Sequence, residues 1–208
     1  MRMQGTDRRQ QLIETALDVF SRKGFDGATT REIATAAGVT EAIIFRHFPT
    51  KQALYTAVVQ ARSNSGEMEK WLADIKSLTD RNDDEGIFRE IARSILRCYR
   101  EDPRHERTML YAALEGQQET LLEHRRFSLP IKQLLTDYVA RRQQQGALRA
   151  GPPVAVLMAI VGMAVHHGMM TSFFGFDLEM ADEEVVDSFV RILMDGVRGK
   201  QAKAGKRK

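Results

Sequence analysis

The sequence has few of the residues that crosslink or stiffen a chain: its 208 residues include one cysteine, one tryptophan and five prolines. Because a disulfide needs two thiols, Cys98 forms none within the chain, and this composition suits a reducing cytosol. The N-terminal segment contains Arg2, Arg8 and Arg9 without an apolar stretch, so we expect no secretory signal. These features predict a cytoplasmic protein.

The signatures of common enzyme sites are also missing. No glycine-rich phosphate loop follows a strand pattern, no nucleophile elbow occurs, and the neighbours of Cys98 offer it no evident base. The histidines beyond residue 100 lack the HxxxH and HExxH spacings of metal sites, and there is no second cysteine. They are His105, His124, His166 and His167. We therefore expect no enzymatic activity, no metal and no cofactor.

The net charge of +3 is too small to indicate nucleic-acid binding by itself, but its distribution is uneven. Residues 1–60 contain 8 Lys/Arg and 6 Asp/Glu, residues 61–195 contain 17 and 22, and residues 196–208 contain 6 and none. We expect a disordered, solvated tail over residues 199–208. Non-specific attraction of this tail to DNA is the alternative.

Apolar residues recur at helical spacing almost throughout, and no useful alternating strand pattern occurs. Ala16 and Phe20 lie on one stripe of a first helix that ends at Gly24. The segment Ser63–Glu69 is either a weak point in a long helix or a boundary, and Pro130 should kink or restart its helix. We predict an all-α fold of about nine helices, four of them before residue 62. The other five are predicted at about 85–101, 104–115, 118–145, 153–174 and 182–198.

The segment Val154–Phe174 has no charged side chain and is about long enough to span a bilayer. However, His166 and His167 would be costly in lipid without partners, and the continuous apolar character ends at Val165. We therefore expect a helix that is buried on all sides, in a core or a subunit interface, rather than a membrane span.

Two short helices around Gly38 form the most specific pattern in the chain. Thr29 and Glu32 have the spacing of a capping box, and Gly38 suits a turn with positive φ. Thr40 is expected to cap a second helix, from Glu41 to about His47. This pattern predicts a helix-turn-helix, with an αα corner that binds no DNA as the alternative.

The second of these helices is expected to present a reading face. Val39, Ile44 and Phe48 should anchor it to the core, which leaves the other side chains outside. These are Glu41, Ala42, Ile43, Phe45, Arg46 and His47. An outer face with Ile43 and Phe45 is unusual for a helix that meets only water, and it suits a major groove lined by thymine methyl groups.

The stretch Leu12–Val59, with the motifs TTREIA and AGVTEAIIFRHFPTKQAL, resembles the DNA-binding domain of TetR/AcrR-type transcriptional regulators. The resemblance covers about a quarter of the chain. It implies an all-helical homodimer that binds operator DNA through three N-terminal helices and dimerises through its last two. The implied division is a DNA-binding domain at 1–52, a ligand-binding and dimerisation domain at 53–198 and the tail at 199–208.

The resemblance also implies which residues meet DNA. Thr29 and Thr30 would donate to a phosphate, while His47 and Lys51 would contact phosphates across the groove. Phe45 stands where the family most often has tyrosine, so it offers ring packing without a hydroxyl group. The residues that would face base edges are Thr40, Glu41, Ala42, Ile43 and Arg46.

Two of these side chains leave alternatives open. Arg46 could bind the N7 and O6 atoms of guanine or a phosphate, and Glu41 could accept from a cytosine amino group or discriminate against other bases. Both could also be ordinary solvated charges.

An effector site is expected among the middle helices, where methionine and aromatic side chains could line an adaptable cavity. The candidates are Trp71, Cys98, Tyr99, Met109, Tyr111, Phe127, Met163, His166, His167, Met170 and Phe174. Ordinary core packing is the alternative for each. The resulting hypothesis is a homodimeric repressor that a small apolar or amphipathic effector releases from a palindromic operator. The alternative is a DNA-binding protein of the same fold without such a ligand, controlled by a protein partner or acting in chromosome organisation.

Overall fold

The computed structural model describes residues 5–63, 66–177 and 179–199. Apart from an isolated bridge between Leu148 and Arg198, the regular structure of these residues is helical, which confirms the all-α prediction. The helices are α1 (Gly5–Gly27), α2 (Thr30–Ala36), α3 (Glu41–His47), α4 (Lys51–Ser63), α5 (Gly66–Asp80), α6 (Asp84–Glu101), α7 (Arg104–Leu114), α8 (Gln118–Gln144), α9 (Pro153–Phe173) and α10 (Asp182–Val197).

Beyond position 84, the ends of the predicted helices agree with the observed ones to within about one residue. The described residues contain a tenth helix in addition to the nine predicted. This is α5, which begins inside the polar segment that the sequence left open as a boundary. Its apolar residues Met68, Trp71, Leu72, Ile75 and Leu78 recur at helical spacing, so the missing signal lies at its polar start rather than along its length. Helix α8 continues through Pro130, and α1 extends three residues past a non-helical Gly24.

The described residues form two compact units, and these do not follow the predicted domain boundary between residues 52 and 53. The first unit combines Met1–Trp71 with Asp102–Leu129, and the second combines Leu72–Glu101 with Pro130–Lys208. The reason is that α7 packs along α1 and also contacts α4. The functional division at residue 52 stays a prediction.

The core of the first unit is built around α1, which packs against α2, α4 and α7. Phe20 and Tyr55 are fully buried, and their rings meet edge to face with centroids 4.7 Å apart. The Tyr55 hydroxyl donates to the Thr108 carbonyl at 3.0 Å, and burial raises the pKa of Tyr55. This bond joins α4 to α7.

In the second unit, α6 packs against α9 and α10, and it buries Ile87, Phe88 and Ile91. A half-buried carboxylate, Asp84, accepts from both the Arg142 guanidinium at 2.8 Å and the Tyr138 hydroxyl at 2.5 Å. These charge-assisted bonds tie the start of α6 to the second half of α8.

Helix α9 meets the length and composition of a membrane-spanning helix, with a mean hydropathy of 1.7, but only 28% of that window is buried. Val156 and Ile160 are buried, whereas Met158 is 68% exposed and Val161 is 39% exposed. The expectation of burial on all sides is therefore wrong for a single chain, because its neighbours cover one face of the helix. The subunit-interface alternative remains.

Candidate nucleic-acid interface

The turn between α2 and α3 is built by local contacts that the sequence predicts. The Thr29 hydroxyl accepts from the Glu32 backbone N–H at 3.1 Å, which confirms the N-cap of α2. The Glu32 carboxylate pairs with the Lys23 ammonium at 2.6 Å. Gly38 has a φ of +66°, and the next residue, Val39, donates its N–H to the α2 carbonyl of Ala34 at 2.9 Å. The two helices thus meet across a tight turn.

Helix α3 is anchored on one side and open on the other. Ile44 and Phe48 are buried in the core of the first unit, as predicted. Ile43 is half-buried against the same core, so its expected outward position is wrong: a seven-residue helix on this core covers more than one row of side chains. Phe45 is 46% exposed. Thr40 occupies the N-cap position, but its side chain makes no capping bond, contrary to expectation.

The predicted DNA contacts fall into two groups by exposure. The exposed ones are Thr29, Thr40, Ala42, Phe45 and Arg46. The half-buried ones are Thr30, Glu41, Ile43, His47 and Lys51. The first group forms a continuous stretch of surface only on α3, where Ala42, Phe45 and Arg46 share the outer face.

Several half-buried members have partners inside the protein. The Thr30 hydroxyl donates to a Glu41 carboxylate oxygen at 2.6 Å, so that these two groups link the beginnings of α2 and α3. One of the two Glu41 carboxylate oxygens is therefore occupied within the protein. The Nε2 atom of His47 is buried and has no hydrogen-bond partner among the described residues. The imidazole ring therefore does not point outward as predicted.

Lys51 opens α4 directly after Thr50, whose hydroxyl caps the helix by accepting from the Ala53 N–H at 3.0 Å. The Lys51 ammonium lies 4.2 Å from the centroid of the Phe25 ring, a cation–π contact that the sequence does not reveal. Burial lowers the pKa of Lys51, and the nearby carboxylates of Asp26 and Glu115 oppose that effect.

One further cation lies beside α3. The Arg9 guanidinium carbon lies 4.9 Å from the centroid of the Phe48 ring at the end of that helix. Arg9 is exposed and comes from the polar side of α1. Its place next to the reading face depends on a tertiary contact, and the only signal in the sequence is its position on the exposed stripe of α1.

The effector candidates do not converge on one site. Trp71, Met109, Tyr111 and Phe127 belong to the first unit, and the others belong to the second. The structure has a cavity of about 390 Å³ in the second unit. Its lining is Asn82, Asp83, Asp84, Glu85, Gly146, Ala147, Met194, Arg198 and Gly199, which includes none of the candidates. The lining is polar and charged rather than rich in methionine and aromatic residues.

The N-terminal helices have the chemistry of a DNA reader. A short anchored helix exposes Arg46, an aromatic ring and a small side chain, and a second cation, Arg9, lies at its end. Together with the capped helix α2 and the turn at Gly38, α3 forms a helix-turn-helix. In this motif the second helix, here α3, can enter a major groove. The fold and this surface define the class: a helix-turn-helix DNA-binding protein.

Comparison with known proteins shows which family the N-terminal helices are similar to. Residues 12–58 match the model of bacterial regulatory proteins of the tetR family. The regulator RutR of Escherichia coli (strain K12) is 25% identical over 207 residues, covering 92% of this chain and 91% of the relative. The repressor AcnR of Corynebacterium efficiens is 28% identical over 154 residues, which are 72% of this chain and 73% of AcnR.

A solved structure of AibR in complex with isovaleryl coenzyme A and operator DNA shares the fold. Its TM-score is 0.68 at 21% identity, with 89% of this chain and 97% of that chain covered. Residues 12–58 thus match the tetR family of bacterial regulatory proteins, and the relatives matched over most of the chain are transcription regulators rather than enzymes.

Proposed function

We propose that the protein is a homodimeric repressor that binds a palindromic operator and is released from it by a small effector. The observation that carries this proposal is the outer face of α3, where Ala42, Phe45 and Arg46 are exposed while Ile44 is fully buried behind them. A face of this kind fits the major groove, where Arg46 reaches guanine or phosphate and Phe45 packs on sugars or thymine methyl groups.

The remaining contacts surround this face. Thr29 is exposed at the start of α2 and contacts the phosphate backbone, and Thr40, exposed at the start of α3, faces base edges. Lys51 contacts a phosphate while its ammonium lies over the Phe25 ring. Thr30 and Glu41 act mainly through their mutual hydrogen bond, which fixes α3 relative to α2. Ile43 and His47 support the helix from its half-buried side.

Dimerisation through α9 and α10 is supported by the apolar side chains that a single chain leaves in water. Met158 and Val161 are exposed on α9, and Ile192 is 60% exposed on the adjoining α10. Burial of such a face against its own copy is the usual way in which a symmetric dimer forms. The two reading helices then meet half-sites about 34 Å apart on one side of the duplex.

The effector proposal is supported by the relative AibR, whose structure contains isovaleryl coenzyme A together with operator DNA. In this chain, Met163, His167 and Met170 are half-buried along α9 in the second unit and are the favoured contacts for an amphipathic ligand. Release from DNA requires that the ligand binds more tightly to a conformation in which the two reading helices do not fit the operator.

Selection of bound duplexes from a random pool tests DNA recognition directly. We expect an enriched palindrome, a complex of two chains per duplex, and an affinity that falls steeply with salt. The Met158→Lys and Ile192→Lys double variant should be monomeric and lose the palindrome, whereas Lys substitution of the exposed Leu114 in the first unit should leave the dimer intact. An asymmetric half-site bound by one wild-type chain would contradict the proposal.

The effector is tested by titration with and without operator. Acyl coenzyme A thioesters of increasing chain length are the first probes, and operator DNA should weaken their binding by the same factor by which they weaken operator binding. Equal ligand affinities in the two titrations would refute the release mechanism. An absence of binding by any small molecule would favour the ligand-free alternative.

A further inference from the structure

A carboxylate from the end of α7 holds the last residues of α1, which follow the non-helical Gly24. Glu115 is the C-cap residue of α7. Its Oε2 atom accepts from the Phe25 backbone N–H at 2.8 Å, and its Oε1 atom accepts from the Asp26 N–H at 3.3 Å. Hydrogen bonds between a carboxylate and backbone N–H groups are stronger than neutral ones. The side chain therefore fixes two consecutive peptide groups that lie 90 and 89 positions away in the sequence.

The backbone beside these peptides is shaped to receive the carboxylate. Gly24 has a φ of +72°, a conformation that side chains rarely adopt. A Cβ atom at this position would overlap Glu115 Oε1 and lie 2.8 Å from Cδ1 of Tyr111, which is one turn earlier on α7. The Tyr111 hydroxyl donates to the Arg22 carbonyl at 3.3 Å. Glycine is thus needed both for its backbone angle and for the space that α7 fills.

The segment held in this way carries groups of the DNA-binding surface. The Phe25 ring packs against Phe20 and Tyr55, and the Lys51 ammonium lies over it. Three residues later, Ala28 is 1% exposed and leads directly into Thr29. A shift of the Phe25 peptide would therefore displace two of the groups proposed to contact phosphates, Lys51 and Thr29.

We propose that Glu115 is a positioning residue for operator binding: through the Phe25 and Asp26 peptides it sets where Lys51 and Thr29 stand relative to α3. This inference rests on the proposed DNA contacts and adds the residue that holds them in place. Loss of this positioning role and loss of the Glu115 charge change the DNA affinity in opposite directions. Removal of a negative charge near DNA strengthens binding through electrostatics alone, whereas loss of positioning weakens it.

The test compares the operator affinities of the wild-type protein, Glu115→Ala and Glu115→Gln by fluorescence anisotropy over a range of salt concentrations. We expect affinity to fall about tenfold in Glu115→Ala, equivalent to about one lost charge-assisted contact. Glu115→Gln should be intermediate, because its carboxamide oxygen accepts one of the two bonds. The salt slope should decrease with the affinity in both variants, since fewer phosphates are contacted. Glu119→Ala is the matched control, an exposed carboxylate in the first turn of α8.

Amide hydrogen exchange supplies a readout that is independent of DNA. Peptides covering Phe25 and Asp26 should exchange faster in Glu115→Ala than in the wild type or Glu119→Ala, while peptides from α6 and α9 keep their protection. If Glu115→Ala does not fold, the comparison rests on Glu115→Gln, which preserves shape and one acceptor. Folded variants that bind operator as tightly as the wild type, or more tightly, would overturn the inference. Failure of the wild-type protein to select any duplex would instead overturn the proposed function.

Discussion

Gly24 and Gly38 both have positive φ angles in the first unit, but only Gly24 has its Cβ position filled by other residues. The φ angles are +72° and +66°. A Cβ at Gly24 would meet Glu115 and Tyr111, whereas a Cβ at Gly38 has no heavy atom within 4 Å. Gly24 also has a ψ of −176°, in a region that only glycine adopts readily, so Gly24→Ala combines a backbone cost with the contact with α7, and its pairing with Glu115→Ala separates the two.

The expected magnitudes follow from these contacts. Gly38→Ala should destabilise the protein by about 1–2 kcal/mol, the cost of a left-handed conformation for a side chain with a Cβ. Gly24→Ala incurs a conformational cost of about 1–3 kcal/mol. It also displaces the Glu115 carboxylate from two peptide N–H groups, which adds about 1.5–3 kcal/mol for hydrogen bonds to a charged group. The reduced entropy of the unfolded chain affects both variants alike and cancels in the comparison.

The assay is urea denaturation followed by far-UV circular dichroism, at one protomer concentration because the proposed dimerisation would couple to stability. The free energy of unfolding of Gly24→Ala should lie below that of Gly38→Ala by about 3 kcal/mol at the middle of these ranges, and by at least about 0.5 kcal/mol. Gly24→Ala in the background of Glu115→Ala should recover part of this difference, since the overlapping carboxylate is gone. Equal destabilisation by the two glycine variants, within about 0.5 kcal/mol, would refute the packing argument.

Two further predictions concern the second unit. Asp84→Asn should lower the free energy of unfolding by about 3–5 kcal/mol, because it leaves the half-buried Arg142 guanidinium uncompensated. Arg93→Ala should lower it by less than about 1 kcal/mol, because the pair of Arg93 with Glu183 is exposed. Denaturation curves check both values, and equal losses of stability would contradict the difference in burial. Burial lowers the pKa of His167 below its ordinary value of 6.5, so unfolding takes up a proton and stability should fall as pH decreases through 6.5. Thermal denaturation should show a smaller loss between about pH 7.5 and 5.5 in His167→Gln than in the wild type or His166→Gln, and identical losses would exclude His167 as a source.

The parts of the fold that depend on local signals could be predicted from the sequence. The Thr29 cap, the Gly38 turn and the limits of α3 each follow from residues within one or two turns of each other, and all three are confirmed. Helix α5 has its apolar residues at helical spacing, but its start lies in a polar segment without a clear cap, which leaves its limits open in the sequence.

The parts that depend on distant residues could not be predicted. Three contacts need the tertiary fold: the bond between Thr30 and Glu41, the position of Lys51 over Phe25, and the hydrogen bond from the Phe25 N–H to Glu115. No pattern near residue 115 indicates that its side chain lies beside residue 25, because α7 reaches α1 only after five intervening helices.

The most direct test of the account is the operator affinity of Arg46→Ala, measured beside Arg149→Ala at moderate ionic strength. Both arginines are exposed, but Arg46 lies on the outer face of α3 and Arg149 lies in the second unit. Arg46→Ala should bind the selected palindrome at least about tenfold more weakly than the wild type, while Arg149→Ala binds it with unchanged affinity. Equal affinities for the wild type and Arg46→Ala would contradict the assignment of α3 as the helix that reads DNA.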